Sequence, residues 1–252
     1  MRALLASRGV TTPELLVLLH GFTNTGAGWS GVIAALGGDR TVLAPDLRGH
    51  GSASHARPVS LEAVVADVAA SAPATFALAG YSMGGRLALH VAVAHPRRVT
   101  RLILIGASPG IADAGERAQR RAADEALAEE ICDLTIERFA QRWARTPVLA
   151  GQPPAVQAAV HADRLRNTPA GLAAALRGLG TGALPPLWDR LGELAMPVDL
   201  IVGERDATFR ATAERMAAAL PAGTLHVVPG AGHAVHLEAP AAVAEIIAAA
   251  EG

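Results

Sequence analysis

Three separated stretches of the 252-residue sequence carry side chains that could act together on a carbonyl compound. The sharpest is Gly80-Tyr81-Ser82-Met83-Gly84-Gly85, which follows a strand-like apolar run and opens a helical one. That context fits a nucleophile elbow, a strained strand-to-helix turn that lifts a serine hydroxyl above a sheet. Glycines flank it because side chains there would strike neighbouring backbone. The other readings are a helix start with a capping serine, or a dinucleotide loop. The spacing is not G-x-G-x-x-G, and no acid ends the strand near Ile105 to meet a ribose.

An activated serine needs a base and an orienting acid, expected in the chain order Ser, acid, His. The run Val198 to Val202 leads into Gly203-Glu204-Arg205-Asp206, and the next run leads into Gly230-Ala231-Gly232-His233. Asp206 and His233 therefore fall just past the carboxyl ends of strands, where open α/β sheets place ligands. Glu204 is the rival acid and His236 the rival base. A His233/His236 metal pair lacks a third nearby ligand, so no metal is expected. The third stretch, His20-Gly21-Phe22, follows the run Leu15 to Leu19. Backbone amides at Phe22 and at Met83, the residue after the serine, could together hold a developing oxyanion. Taken alone, His20-Gly21 could be only a tight turn with a structural histidine.

The elements that must position these groups alternate. Strand-length apolar runs at Leu15 to Leu19, Thr41 to Ala44, Phe76 to Ala79, Arg101 to Ile105, Val198 to Val202 and Leu225 to Val228 predict strands buried on both faces. Helical stretches fall between them, notably Leu61 to Ala72, Met83 to His95, Ala211 to Leu220 and Ala241 to Ala250. This alternation implies an α/β fold with a mainly parallel sheet and helices on both faces. From about Gly110 to Leu191 the rhythm breaks into helical periodicity without a convincing strand. The expected organisation is thus a core of residues 1–109 and 192–252 with a helical lid inserted at 110–191.

Composition removes several chemistries. Lys and Arg total 22 against 23 acidic residues, a net charge of -1, so no nucleic-acid or anionic-membrane surface is expected. All the basic residues are arginines, which excludes P-loop, Schiff-base and kinase-type lysines. The single Cys132 can form neither an internal disulfide nor a multi-cysteine zinc site. The Leu15 to Leu19 run is too short to span a bilayer, and the expectation is a soluble, cytoplasmic protein without a cofactor. Oligomeric state stays open, a monomer being compatible.

These motifs, with Asp46-Leu47-Arg48-Gly49-His50-Gly51-Ser52, resemble the α/β-hydrolase superfamily over nearly the whole chain. Within it, Gly80 to Arg86, Ala107 to Ile111, Glu116 to Arg120, Arg142-Trp143 to Pro147, Arg164 to Asn167 and Leu176 to Gly182 are similar to the MenH family, the 2-succinyl-6-hydroxy-2,4-cyclohexadiene-1-carboxylate synthases of menaquinone synthesis. The resemblance implies a lyase that expels pyruvate from a small polyanionic substrate. It also implies that Ser82 serves as the base, with Tyr81, Arg86, Arg120, Trp143 and Arg164 as substrate-binding positions.

The residues themselves bear on this. Arg86 lies one helical turn after Ser82 among apolar neighbours, where a guanidinium is costly unless it meets an anion. Arginine can grip a carboxylate in two-pronged fashion, fixing orientation as well as charge. The alternatives are a snorkelling or ion-paired Arg86, a solvated salt-bridged helix face carrying Arg120, and plain packing for Trp143. A carboxylesterase or C–C bond hydrolase acting through an acyl-Ser82 remains the competing activity. A catalytically silent receptor on the same fold is the third reading.

Overall fold

The computed structural model describes residues 14–38, 40–149 and 151–249. Six strands form one all-parallel sheet: β1 (Leu16–Leu19), β2 (Val42–Leu43), β3 (Phe76–Tyr81), β4 (Val99–Ile105), β5 (Val198–Gly203) and β6 (Gly223–Val228). Their order is β2-β1-β3-β4-β5-β6. The chain steps outward from β1 to β2, then returns to lay β3 on the other side of β1. The carboxyl ends of β1 and β3 therefore flank a topological switch point, with Leu19 in register with Gly80.

Alternate residues of the central strands feed two cores, which is why these runs are apolar at every position. Val17, Leu19, Leu78, Leu102, Leu104 and Leu200 face one core. Leu87 and Val91 of α3 (Met83–Ala94) join them there, as do Val64 of α2 (Leu61–Ser71) and Met216 of α8 (Ala207–Ala219). Leu16, Leu18, Ala79, Ile103 and Ile201 face the other, with Val32 of α1 (Ser30–Leu36), Val235 of α9 (Val235–Glu238), and Val243 and Ile247 of α10 (Pro240–Ala248). The edge strands depart from full burial: β2 is half-buried and β6 has exposed positions, because each lacks a neighbour on one side.

Between β4 and β5 the described residues contain no strand. They form α4 (Ala114–Cys132), α5 (Ile136–Trp143), α6 (Pro154–Arg164) and α7 (Pro169–Leu179). Helices α4, α5 and α7 share a small core of Ala128, Ile131, Phe139, Leu172, Ala173 and Leu176, with Phe22 and Trp143 packed against it. Helix α8 starts at Ala207, ahead of the expected Ala211, because Asp206 caps it: the carboxylate accepts from the Phe209 amide at 3.2 Å. The expected helix end at Ala250 lies outside the described residues. No helix among those described is long and apolar enough to cross a membrane.

Candidate active site

Ser82 occupies the turn between β3 and α3 with φ 50° and ψ -110°, a conformation a serine adopts only under constraint. The constraint comes from both sides. The Ser82 amide donates to the Ile105 carbonyl at 2.9 Å, and a side chain at Gly84 would collide with the Leu19 and His20 carbonyls. The elbow can close only because the chain there is glycine.

His233 reaches Ser82 from β6, across the ends of β5 and β4. Its Nδ1 lies 2.6 Å from Asp206 Oδ2, and its Nε2 lies 3.3 Å from Ser82 Oγ. The crossing passes over Gly106, which has φ 52°; a Cβ there would stand 2.9 Å from His233 Cε1. Glu238 accepts from the Gly232 amide at 2.9 Å and pairs with Arg205 at 2.7 Å, which fixes the turn carrying His233. Phe209 packs its ring 4.4 Å from the imidazole. The rivals lie elsewhere. Glu204 accepts from the Gly230 amide at 2.8 Å, and His236 is buried between Trp29 and Tyr81, at ring distances of 4.6 and 4.2 Å.

The loop after β1 is held from beneath. His20 Nε2 accepts from the Leu47 amide at 2.9 Å, which leaves Nδ1–H to donate to the Gly21 carbonyl at 2.9 Å. Burial lowers the His20 pKa, so this neutral tautomer persists. Asp46 ties the loops after β1 and β2 together, accepting from the Gly26 amide and from the amide and hydroxyl of Ser52 at 2.7–2.8 Å. Burial alone would raise its pKa, but these hydrogen bonds outweigh that and leave it below the ordinary value.

A cavity of about 320 Å³ opens over the serine, with Phe22, Ser82, Met83, Arg86, Arg120, Trp143 and His233 in its wall. Two larger clefts, about 560 and 960 Å³, contain neither Ser82 nor His233, so volume does not locate the chemistry. Met83 is the first residue of α3, and its amide has no acceptor within the helix. Arg86 is 9% exposed and its Nε is buried without a partner. Burial, then the neighbouring Arg120, lowers the Arg86 pKa to about 10, still charged at neutral pH. Arg120 pairs with Asp124 one turn on, Nε to Oδ1 at 2.8 Å, while lining the cavity. Trp143 meets Phe22 edge to face at 5.2 Å.

Two expected substrate residues stand behind this wall. Arg164, 4% exposed, turns its Nε toward the Thr23 hydroxyl at 3.3 Å, and burial lowers its pKa to about 10. Tyr81 packs between the rings of His233 and His236, and burial raises its pKa. Of the three arginines expected at substrate-binding positions, Arg86 and Arg120 line the cavity over the serine and Arg164 does not. Sequence reasoning missed Phe209, Leu127, Thr146, Leu176 and Thr181 in the wall. For Phe209 the sequence carried no signal, because a capping aspartate engages the backbone amide of that position whatever its side chain.

The chain matches the Alpha/beta hydrolase family over residues 16–246. A Bacillus subtilis (strain 168) protein provisionally named 2-succinyl-6-hydroxy-2,4-cyclohexadiene-1-carboxylate synthase is 35% identical, over 98% of this chain and 93% of its own. The synthase of that name from Salmonella newport (strain SL254) is 36% identical, over 94% and 93%. The structure of MenH from S. aureus superposes with a TM-score of 0.87 at 31% identity, covering 95% of this chain and 93% of the other. Elbow, sheet order and these matches agree: the chain belongs to the α/β-hydrolase family and, within it, to the MenH family.

Proposed function

We propose that this protein eliminates pyruvate from 2-succinyl-5-enolpyruvyl-6-hydroxy-3-cyclohexene-1-carboxylate, the menaquinone-pathway step named for its relatives, with α4–α7 serving as a lid. One observation carries the reading: the Ser82–His233–Asp206 chain of contacts ends in a cavity whose wall holds two guanidinium groups, the buried one of Arg86 and the exposed one of Arg120. An ordinary esterase needs no such cations, whereas a substrate with three carboxylates does.

In this mechanism Asp206 fixes the imidazole tautomer, and His233 Nε2 takes the Ser82 proton. The serine oxygen then removes the ring proton next to the succinyl ketone. The electron pair moves onto the ketone oxygen, where the Phe22 and Met83 amides at the mouth of α3 stabilise it. Collapse of that oxyanion expels the enolpyruvyl oxygen. The departing enolate takes a proton and becomes pyruvate; no water is consumed. Arg86 and Arg120 hold substrate carboxylates throughout. The substrate is a soluble anion, and we place the reaction in the cytoplasm.

The test supplies this substrate, generated in situ by the enzyme that precedes it, and measures pyruvate. Wild-type protein is expected to release it well above the spontaneous rate, and Ser82→Ala to lose at least 1,000-fold, on the order of a triad deletion. Pyruvate release from folded protein no faster than background would overturn the reading. A burst of alcohol from an activated ester, with a trapped acyl-Ser82, would indicate a hydrolase instead.

A further inference from the structure

Among the described residues only Thr23 and Ser82 are non-glycine residues with positive φ, 69° and 50°. The elbow explains Ser82. Thr23 belongs to the loop carrying Phe22, where the Asn24 amide donates to the Gly21 carbonyl at 3.1 Å. Thr23 is thus the third residue of a tight turn, in the left-handed form that glycine or asparagine normally supplies. A β-branched residue resists this conformation. Relaxing it would require the turn that carries Phe22 to change its backbone form.

The groups that hold this turn in place come from the inserted segment. Asn167, 4% exposed, donates through Nδ2 to the Thr23 carbonyl at 2.9 Å and accepts through Oδ1 from the Gly51 amide at 3.0 Å. One side chain therefore bridges the loops after β1 and β2. Arg164 Nε donates to the Thr23 hydroxyl, and the Thr25 amide and hydroxyl both donate to the Asp163 carboxylate. The loop that presents Phe22 is gripped by Asp163 and Arg164 at the end of α6 and by Asn167 just beyond it.

We infer that Asn167 is a positioning residue, which holds Thr23 left-handed and so keeps the Phe22 amide aimed at the oxyanion. It rests on the reading of Phe22 as an oxyanion donor, and it makes that donor conditional on the docked position of α6.

The test has two readouts. Asn167→Ala is expected to lower kcat 10- to 100-fold while KM stays within threefold. Adding Thr23→Gly should recover at least threefold of the loss, since glycine takes positive φ freely. Asn167→Asp keeps the shape and the acceptor for Gly51 but turns an acceptor toward the Thr23 carbonyl; it should behave like Asn167→Ala and serves if that variant does not fold. The second readout needs no turnover. In protein labelled with 15N-phenylalanine, with the Phe22 cross-peak assigned from Phe22→Leu, either Asn167 variant should shift or broaden that peak and leave Phe76 in place. An unmoved Phe22 peak in a folded variant, or a raised KM with unchanged kcat, overturns the inference. The spectrum gives its answer even if the chain releases no pyruvate.

Discussion

Arg86 stands one helical turn beyond Ser82, its amide donating to the serine carbonyl at 3.0 Å, and both side chains enter the same cavity wall. The elbow thus aims a cation and a hydroxyl together, and the Arg86 Nε is left buried without a protein partner. An unpartnered guanidinium at this depth costs stability that a bound carboxylate would return.

Replacing Arg86 should therefore separate stability from activity. Arg86→Met is expected to raise unfolding stability by about 1–2 kcal/mol, by removing a desolvated charge. The same change should lower kcat/KM at least 100-fold. Arg86→Lys should recover little, because an ammonium cannot grip a carboxylate with two prongs. Urea unfolding and pyruvate release on the same preparations check both expectations.

Gly106 is expected to be intolerant although it donates no side chain to the chemistry. A Cβ would press on the His233 imidazole at 2.9–3.0 Å, and the residue sits at φ 52°. Gly106→Ala should cost about 1–2 kcal/mol from the left-handed backbone alone. It should also lower kcat at least 100-fold by displacing Nε2 from Ser82. A crystal structure of the variant with the 3.3 Å contact intact would contradict this.

Acid should weaken the fold through histidines outside the triad. Burial holds His50 and His236 near pKa 3, with His20 lowering the first further and His233 the second. Between pH 6.5 and 3 the unfolded chain binds protons that the native state refuses. Their contribution is complete above pH 6.5 and falls as pH drops below it, by about 1.4 kcal/mol per pH unit for each histidine. Urea unfolding at pH 7, 6 and 5 should show this decline. His236→Phe, which keeps a ring between Trp29 and Tyr81, should remove about 1.4 kcal/mol per unit from the slope.

A second buried ion cluster should matter for stability and not for turnover. Asp199 accepts from Arg101 at 2.8 Å and from His226 at 2.7 Å, and Arg101 continues to the Ile246 carbonyl of α10 at 2.8 Å. Arg101→Leu strands the carboxylate and should destabilise by about 3 kcal/mol. The kcat of the folded fraction should stay within twofold. A larger fall in kcat would tie α10 to the site.

Much of this molecule is legible in its residue order, and the limits are physical. The central strands read correctly because both faces are buried, so every position of Leu16–Leu19 or Leu102–Ile105 is apolar. Edge strands β2 and β6 read less well, since only one flank is paired. Ser82 and Gly84 announced the elbow because strain confines that turn to few residue types. Asp206 and His233 were legible as loop residues past strand ends. Phe209 was not singled out, since an aromatic residue in a first helical turn is chemically silent until a partner ring is near.

Residue order alone determined the sheet, the elbow and the kinds of groups at three strand ends, because each follows from local sterics or from burial repeated along a strand. Only the tertiary structure decided which cations reach the serine. A guanidinium on a long stem can turn into the cavity, as Arg86 does, or behind a loop, as Arg164 does, and packing against distant segments makes that choice. The same holds for the 3.3 Å contact between Ser82 and His233, 151 residues apart. It exists because the four parallel strands β3 to β6 end at one level and Gly106 leaves room for the ring.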